Sequence, residues 1–100
     1  MDNKVILIAY INILHGFEKQ VKKAMITMAA ESCKETGCEQ YLINTRNDSP
    51  QTIVTYEVYQ NDEAFQVHKT SAYAKTFFEY LKGKIKNDKV EVVFLTELNS

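Results

Sequence analysis

The sequence is poor in chain breakers, in cysteine and in net charge, and each shortage excludes something. Three glycines and one proline among 100 residues are too few for a fibrous or low-complexity chain. Twelve basic against thirteen acidic side chains leave a formal charge of −1, so no overall field draws the chain to nucleic acid or to an anionic membrane surface. The longest apolar run, residues 5–11, is far short of the roughly 20 residues a membrane helix needs. It also lacks the basic flank and small-residue cleavage site of a signal peptide, so a cytoplasmic protein is expected. Cys33 and Cys38 are the only cysteines. Their spacing fits neither a zinc site, which would need a second ligand pair, nor a thioredoxin-like motif, and two reduced thiols are expected.

What remains is ordinary globular composition, 45% hydrophobic and 25% charged. A chain of this length buries about two thirds of its unfolded surface and supports one core, so residues 1–100 are read as a single domain. Residues 5–13 alternate Val5, Leu7, Ala9, Ile11 and Ile13 against Ile6, Ile8, Tyr10 and Asn12, the pattern of a strand with two apolar faces. After a His15-Gly16 turn, Phe17, Val21, Ala24, Met25, Met28, Ala29 and Cys33 recur at helical spacing, and Gly37 is placed to end that helix as a left-handed cap. Residues 41–45 and 52–59 alternate as the two arms of a hairpin around the turn formers of 46–50. Asn61 and Ser71 are each placed to cap a helix, the second carrying Ala74, Phe77, Phe78 and Leu81, and Gly83 stops it. A polar connection rich in lysine leads to a last strand at 90–95.

Strand, helix, hairpin, helix, strand is the split βαβ order, an α+β ferredoxin-like βαββαβ domain with an antiparallel sheet. Its helices cover one sheet face only. The other face carries too many apolar and aromatic groups for water, which predicts a homodimer with sheets packed against each other, a dimeric α/β barrel.

The stretch Tyr56-Glu57-Val58-Tyr59, then Asn61-Asp62-Glu63-Ala64-Phe65, then His68-Lys69-Thr70-Ser71, resembles the signature of the antibiotic biosynthesis monooxygenase family. Gly37-Cys38 with Tyr41 downstream matches that family's entry into its second strand. The resemblance implies a dimeric ferredoxin-like protein. It also implies oxidation of a phenolic or quinol-type small molecule by molecular oxygen, with no metal, flavin or haem cofactor. The Tyr-Glu-x-Tyr and His-Lys-Thr wording is also similar to the branch that isomerises a phosphorylated autoinducer. Departures from the family are Tyr59 where many quinol-oxidising members have Trp, His15-Gly16 in place of Pro-Gly, and Tyr73 where His is common. Asn12 and His68 match two members of the haem-degrading set, but Tyr59 stands in place of the third, and haem chemistry ranks last.

The expected catalytic pair is His68 and Glu57. An imidazole with an ordinary pKa of about 6.5 exchanges protons at neutral pH, although a lone His at a helix end also serves as a cap or packing group. Glu57 either orients His68 or acts as base, or else pairs with a lysine or backbone group at an interface. Asn12, Tyr59, Phe65, Tyr73 and Phe77 are the expected substrate contacts, the two phenylalanines serving equally well as core. The lysines at 82, 84, 86 and 89 form either a phosphate site for the isomerase or a solvated loop. Three hypotheses follow: an oxygenase, an isomerase of a small phosphorylated ketone, and a non-enzymatic dimeric module that binds a small ligand.

Overall fold

The strand pattern at the N-terminus is met by β1 (Val5–Asn12), and the helical one by α1 (Glu18–Ser32). The hairpin is β2 (Cys38–Arg46) and β3 (Ser49–Tyr59), and α2 (Asp62–Thr70), α3 (Ala72–Leu81) and β4 (Glu91–Leu95) complete the order. These come from a computed structural model that describes residues 3–99. The sheet is antiparallel throughout, in the order β2-β3-β1-β4, which is the ferredoxin-like arrangement expected from the sequence. Among the described residues no helix is long and apolar enough to cross a membrane.

Register decides which side chains meet the helices. Leu7 pairs with Glu57 and Phe94, Ala9 with Thr55 and Val92, and Ile11 with Ile53, so these share one face. On that face Ile11, Ile13, Tyr41 and Ile53 pack against Val21, Met25 and Met28 of α1 and Ala74, Phe77 and Leu81 of α3. The other face carries Ile8, Tyr10 and Asn12 of β1, with Tyr56, Val54 and Thr52 opposite them on β3.

Three local expectations change. The buried stripe of α1 is Val21, Met25, Met28 and Ser32, while Cys33 is exposed, because the helix ends one residue earlier and Ser32 hydrogen-bonds back to the Met28 carbonyl. Gly37 is not a left-handed cap, since only Gly16 and Gly83 among the glycines have positive φ. It is glycine for lack of room: a Cβ there would overlap Ala64 of α2. The hairpin turn narrows to residues 47 and 48, with Arg46 bridging to Asp48 at 2.6 Å, and Ser49 and Pro50 already belong to β3.

The caps form as expected. Asn61 accepts from the Ala64 N–H at 2.9 Å and Ser71 from the Ala74 N–H at 3.3 Å. Ser71 is extended between two helical segments, so the chain breaks there, and its hydroxyl donates to the His68 carbonyl at 2.8 Å. This fixes the last turn of α2, which carries His68.

Candidate active site

Alternation along β3 aims Thr55, Glu57 and Tyr59 at the helices. Buried carboxylates need partners, and Glu57, only 5% exposed, has them from its own strand. The Thr55 hydroxyl donates to one oxygen at 2.7 Å and the Tyr59 hydroxyl to the other at 2.6 Å. Such short bonds to an ionised acceptor are about twice as strong as neutral ones. Burial foremost, and then the Glu57 charge, push the Tyr59 phenol far above its usual range, so it remains a donor. Tyr41, across the hairpin, is pushed up for the same two reasons in the same order.

His68, 5% exposed, sits over this group. Its ring centre lies 5.0 Å from that of Tyr59, 5.7 Å from Tyr41 and 6.3 Å from Tyr73. Its Nε2 is 3.9 Å from a Glu57 oxygen, too far for a hydrogen bond but close enough for charge to matter. Its Nδ1 lies 3.3 Å from Glu35, which stands in the segment between α1 and β2. The other Glu35 oxygen accepts the Tyr73 hydroxyl. Burial first, and then that bond, raise the Tyr73 phenol to about 12. Nε2 makes no hydrogen bond, and His68 lines a cavity beside it.

That cavity has a volume of about 500 Å³, within the range of small-molecule sites. Thr55, Glu57 and His68 give it a polar end. Apart from Tyr41 and Lys69 the rest is apolar: Leu7, Ala9 and Ile11 from β1, Met25 and Met28 from α1, Phe65, Phe77 and Phe78 from α2 and α3, and Val90, Val92 and Phe94 from the last segment. Lys69 is its one lysine, with Nζ 5.2 Å from the centre of the Phe65 ring. Phe94, 61% exposed, and Phe78, 46% exposed, mark its open side.

The structure therefore brings together His68, Glu57, Phe65 and Phe77. Tyr59 is wholly buried behind Glu57 and does not line the cavity, and Tyr73 lines a separate groove between α1 and α3. Asn12 is not brought to the site: it lies on the far side of the sheet, where it accepts from the Thr52 hydroxyl at 2.9 Å. The lysines of the 82–89 connection also stay away from the cavity, Lys82 pairing with Glu79 at 3.0 Å and Lys84 lying over Tyr80. Sequence reading missed Glu35, Thr55 and Tyr41. Thr55 was findable, two residues before Glu57 on the same face. Glu35 was not, since it lies outside both periodic patterns that flank it.

A family model for antibiotic biosynthesis monooxygenases matches residues 4–80. No curated protein matches the chain. Among solved structures, PA3566 from Pseudomonas aeruginosa superposes with a TM-score of 0.91 at 22% identity, over 99% of this chain and 98% of its own. A Nitrosomonas europaea protein provisionally named an antibiotic biosynthesis monooxygenase gives 0.90 at 20% identity, over 98% of this chain and 93% of its own. Rv0793 from Mycobacterium tuberculosis gives 0.89 at 20% identity, over 97% of each chain. At these identities the likeness shows a shared fold.

Proposed function

The chain belongs to the antibiotic biosynthesis monooxygenase family, and from that premise we propose that it is a monooxygenase acting on a phenolic or quinol-type small molecule. One observation carries the reading: His68, whose Nε2 makes no hydrogen bond, lines with Glu57 the polar end of a mostly apolar cavity. A planar aromatic body fits the apolar walls, and its hydroxyl meets the polar end.

The chemistry is proton removal followed by oxidation of the substrate itself. His68 takes the phenol proton on Nε2, and the Glu57 carboxylate, 3.9 Å away, faces the positive charge that develops there. The electron-rich phenolate then reduces molecular oxygen. One oxygen atom enters the ring as a carbonyl and the other leaves as water. The two hydrogens of that water come from the substrate's O–H and from the ring C–H that is replaced, so a phenol and dioxygen give a quinone and water. The substrate supplies the electrons, and the reading includes no added metal, flavin or haem, as the family resemblance implies.

The apolar lining favours this over an isomerase of a small phosphorylated ketone, whose phosphate would need cations that the cavity offers only in Lys69. A homodimer belongs to the same proposal. Leu42, Val93 and Leu95 on the outer sheet face are 54%, 48% and 38% exposed, and a second sheet would cover them. A cytoplasmic site of action is supported by the two free cysteines.

The test is turnover of a panel of naphthols, hydroquinones and polycyclic phenols under ¹⁸O₂, read by mass spectrometry. One labelled atom per quinone product is expected. Products labelled from water, or no product across the panel, would overturn the oxygenase, and conversion of a phosphorylated ketone instead would install the isomerase.

A further inference from the structure

The catalytic reading leaves Glu35 and Tyr73 unused, although both are tied to His68. We propose that Glu35, clamped by Tyr73, is a positioning residue that holds His68 in the tautomer with its hydrogen on Nδ1, leaving Nε2 as the free base. This deepens the reading above and rests on it for the role of Nε2.

An ionised carboxylate only accepts, so a hydrogen bond from Nδ1 to Glu35 at 3.3 Å requires the hydrogen on Nδ1. In a neutral imidazole the lone pair is then on Nε2, because the bond made by one ring nitrogen sets the state of the other. Glu57 cannot impose the opposite tautomer. Its nearer oxygen stands 3.9 Å from Nε2 and already accepts Tyr59 at 2.6 Å, and its second oxygen accepts Thr55 at 2.7 Å.

Geometry explains why Glu35 stays in place. It lies outside the cavity lining, behind the imidazole, with its second oxygen accepting the Tyr73 hydroxyl. Its segment is anchored at both ends: the Glu35 N–H donates to the Ser32 carbonyl at 3.1 Å, and the Cys38 N–H to the Glu35 carbonyl at 3.1 Å. The Gln60 N–H donates to the Gly37 carbonyl at 2.8 Å, and Gly37 lies against Ala64, so this segment and the start of α2 are fastened together. The groups facing His68 are thus Glu35 from the loop, Tyr41 from β2, Glu57 and Tyr59 from β3, and Tyr73 from α3, of which only Glu35 touches Nδ1.

The experiment is long-range ¹H–¹⁵N NMR on ¹⁵N-histidine-labelled protein at a pH where the imidazoles are neutral. His68 and the exposed His15 are the only two histidines, so the second is an internal reference. The wild type is expected to show a pyridine-like Nε2 and a protonated Nδ1 at His68. Glu35→Ala, and the longer Glu35→Met that fills the same space without an acceptor, should both show a mixture or the reversed tautomer, with Tyr73→Phe intermediate. In turnover, Glu35→Met should lower kcat about 10- to 100-fold with KM little changed, the scale seen when the orienting partner of a metal-bound His is lost. A wild-type His68 with its hydrogen on Nε2, or an unchanged tautomer in Glu35→Met, overturns the proposal. Because the tautomer is read without substrate, it stands or falls separately from the oxygenase reading, which fails if the wild type converts no phenol.

Discussion

The two faces of one sheet handle polar side chains in opposite ways. On the helix side, Thr55, Glu57 and Tyr59 stand at alternate positions of β3 under the helical layer beside His68, with each carboxylate oxygen satisfied by a hydroxyl. On the outer side, Asn12 and Thr52 meet across β1 and β3 with one 2.9 Å bond at the sheet's end. Asn12 and Ile11 are adjacent in sequence, yet only Ile11 lines the cavity. What separates a catalytic candidate from a strand-end polar pair is thus parity along the strand and the layer that covers it, rather than residue type.

Removing a hydroxyl from the covered side has the largest expected effect. Tyr59→Phe leaves Glu57 buried with one donor fewer and is expected to cost about 1–3 kcal/mol in chemical denaturation, the price of an unsatisfied buried polar group. Gly37→Ala acts on the same side through the backbone. Its methyl overlaps Ala64 and shifts the start of α2, with an expected loss of about 1–3 kcal/mol by the same measurement. Both effects should be absent from variants of the outer face.

Alkali sharpens the contrast spectroscopically. Tyr41, Tyr59 and Tyr73 all have folded-state phenol pKa values raised above the ordinary 10.0, so the folded chain holds those protons more tightly than the unfolded one. Their contribution to stability is complete below pH 10; that of Tyr73 is lost as pH rises through about 12, and those of Tyr41 and Tyr59 at still higher pH. An ultraviolet titration should show these three phenols ionising late and together with unfolding. Normal titration of all the tyrosines before any loss of structure would contradict the burial described. The smallest effect belongs to the outer pair: Asn12→Ala, losing one partly buried bond, should cost no more than about 1 kcal/mol and leave turnover unchanged.

Sequence reading reached the strand faces, both helix caps and the His68–Glu57 pair, because each rests on a local rule: alternation, an Asn or Ser before a helix, a signature within twelve residues. It placed Asn12 on the face of Ile8 and Tyr10 correctly, yet counted it as a substrate contact, since parity alone does not say which face carries the cavity. Sequence pattern alone groups Tyr73 with the aromatic lining for a similar reason. Its ring reaches His68 from the α1 side, and only the packing of α3 on α1 reveals that. Glu35 was invisible because its partner is 33 residues away and its own segment has no period. Sequence position suggests conformational freedom at Gly37, whereas its role is spatial.

The measurement that bears most directly on the central claim is oxygen uptake by metal-stripped wild type, His68→Ala and Asn12→Ala with a hydroquinone or polycyclic phenol panel. Uptake in the wild type, unchanged in Asn12→Ala and reduced by about 100- to 10,000-fold in His68→Ala, is the predicted result for a general base on the covered face. Equal uptake in all three proteins, or uptake lost in Asn12→Ala but kept in His68→Ala, would contradict it.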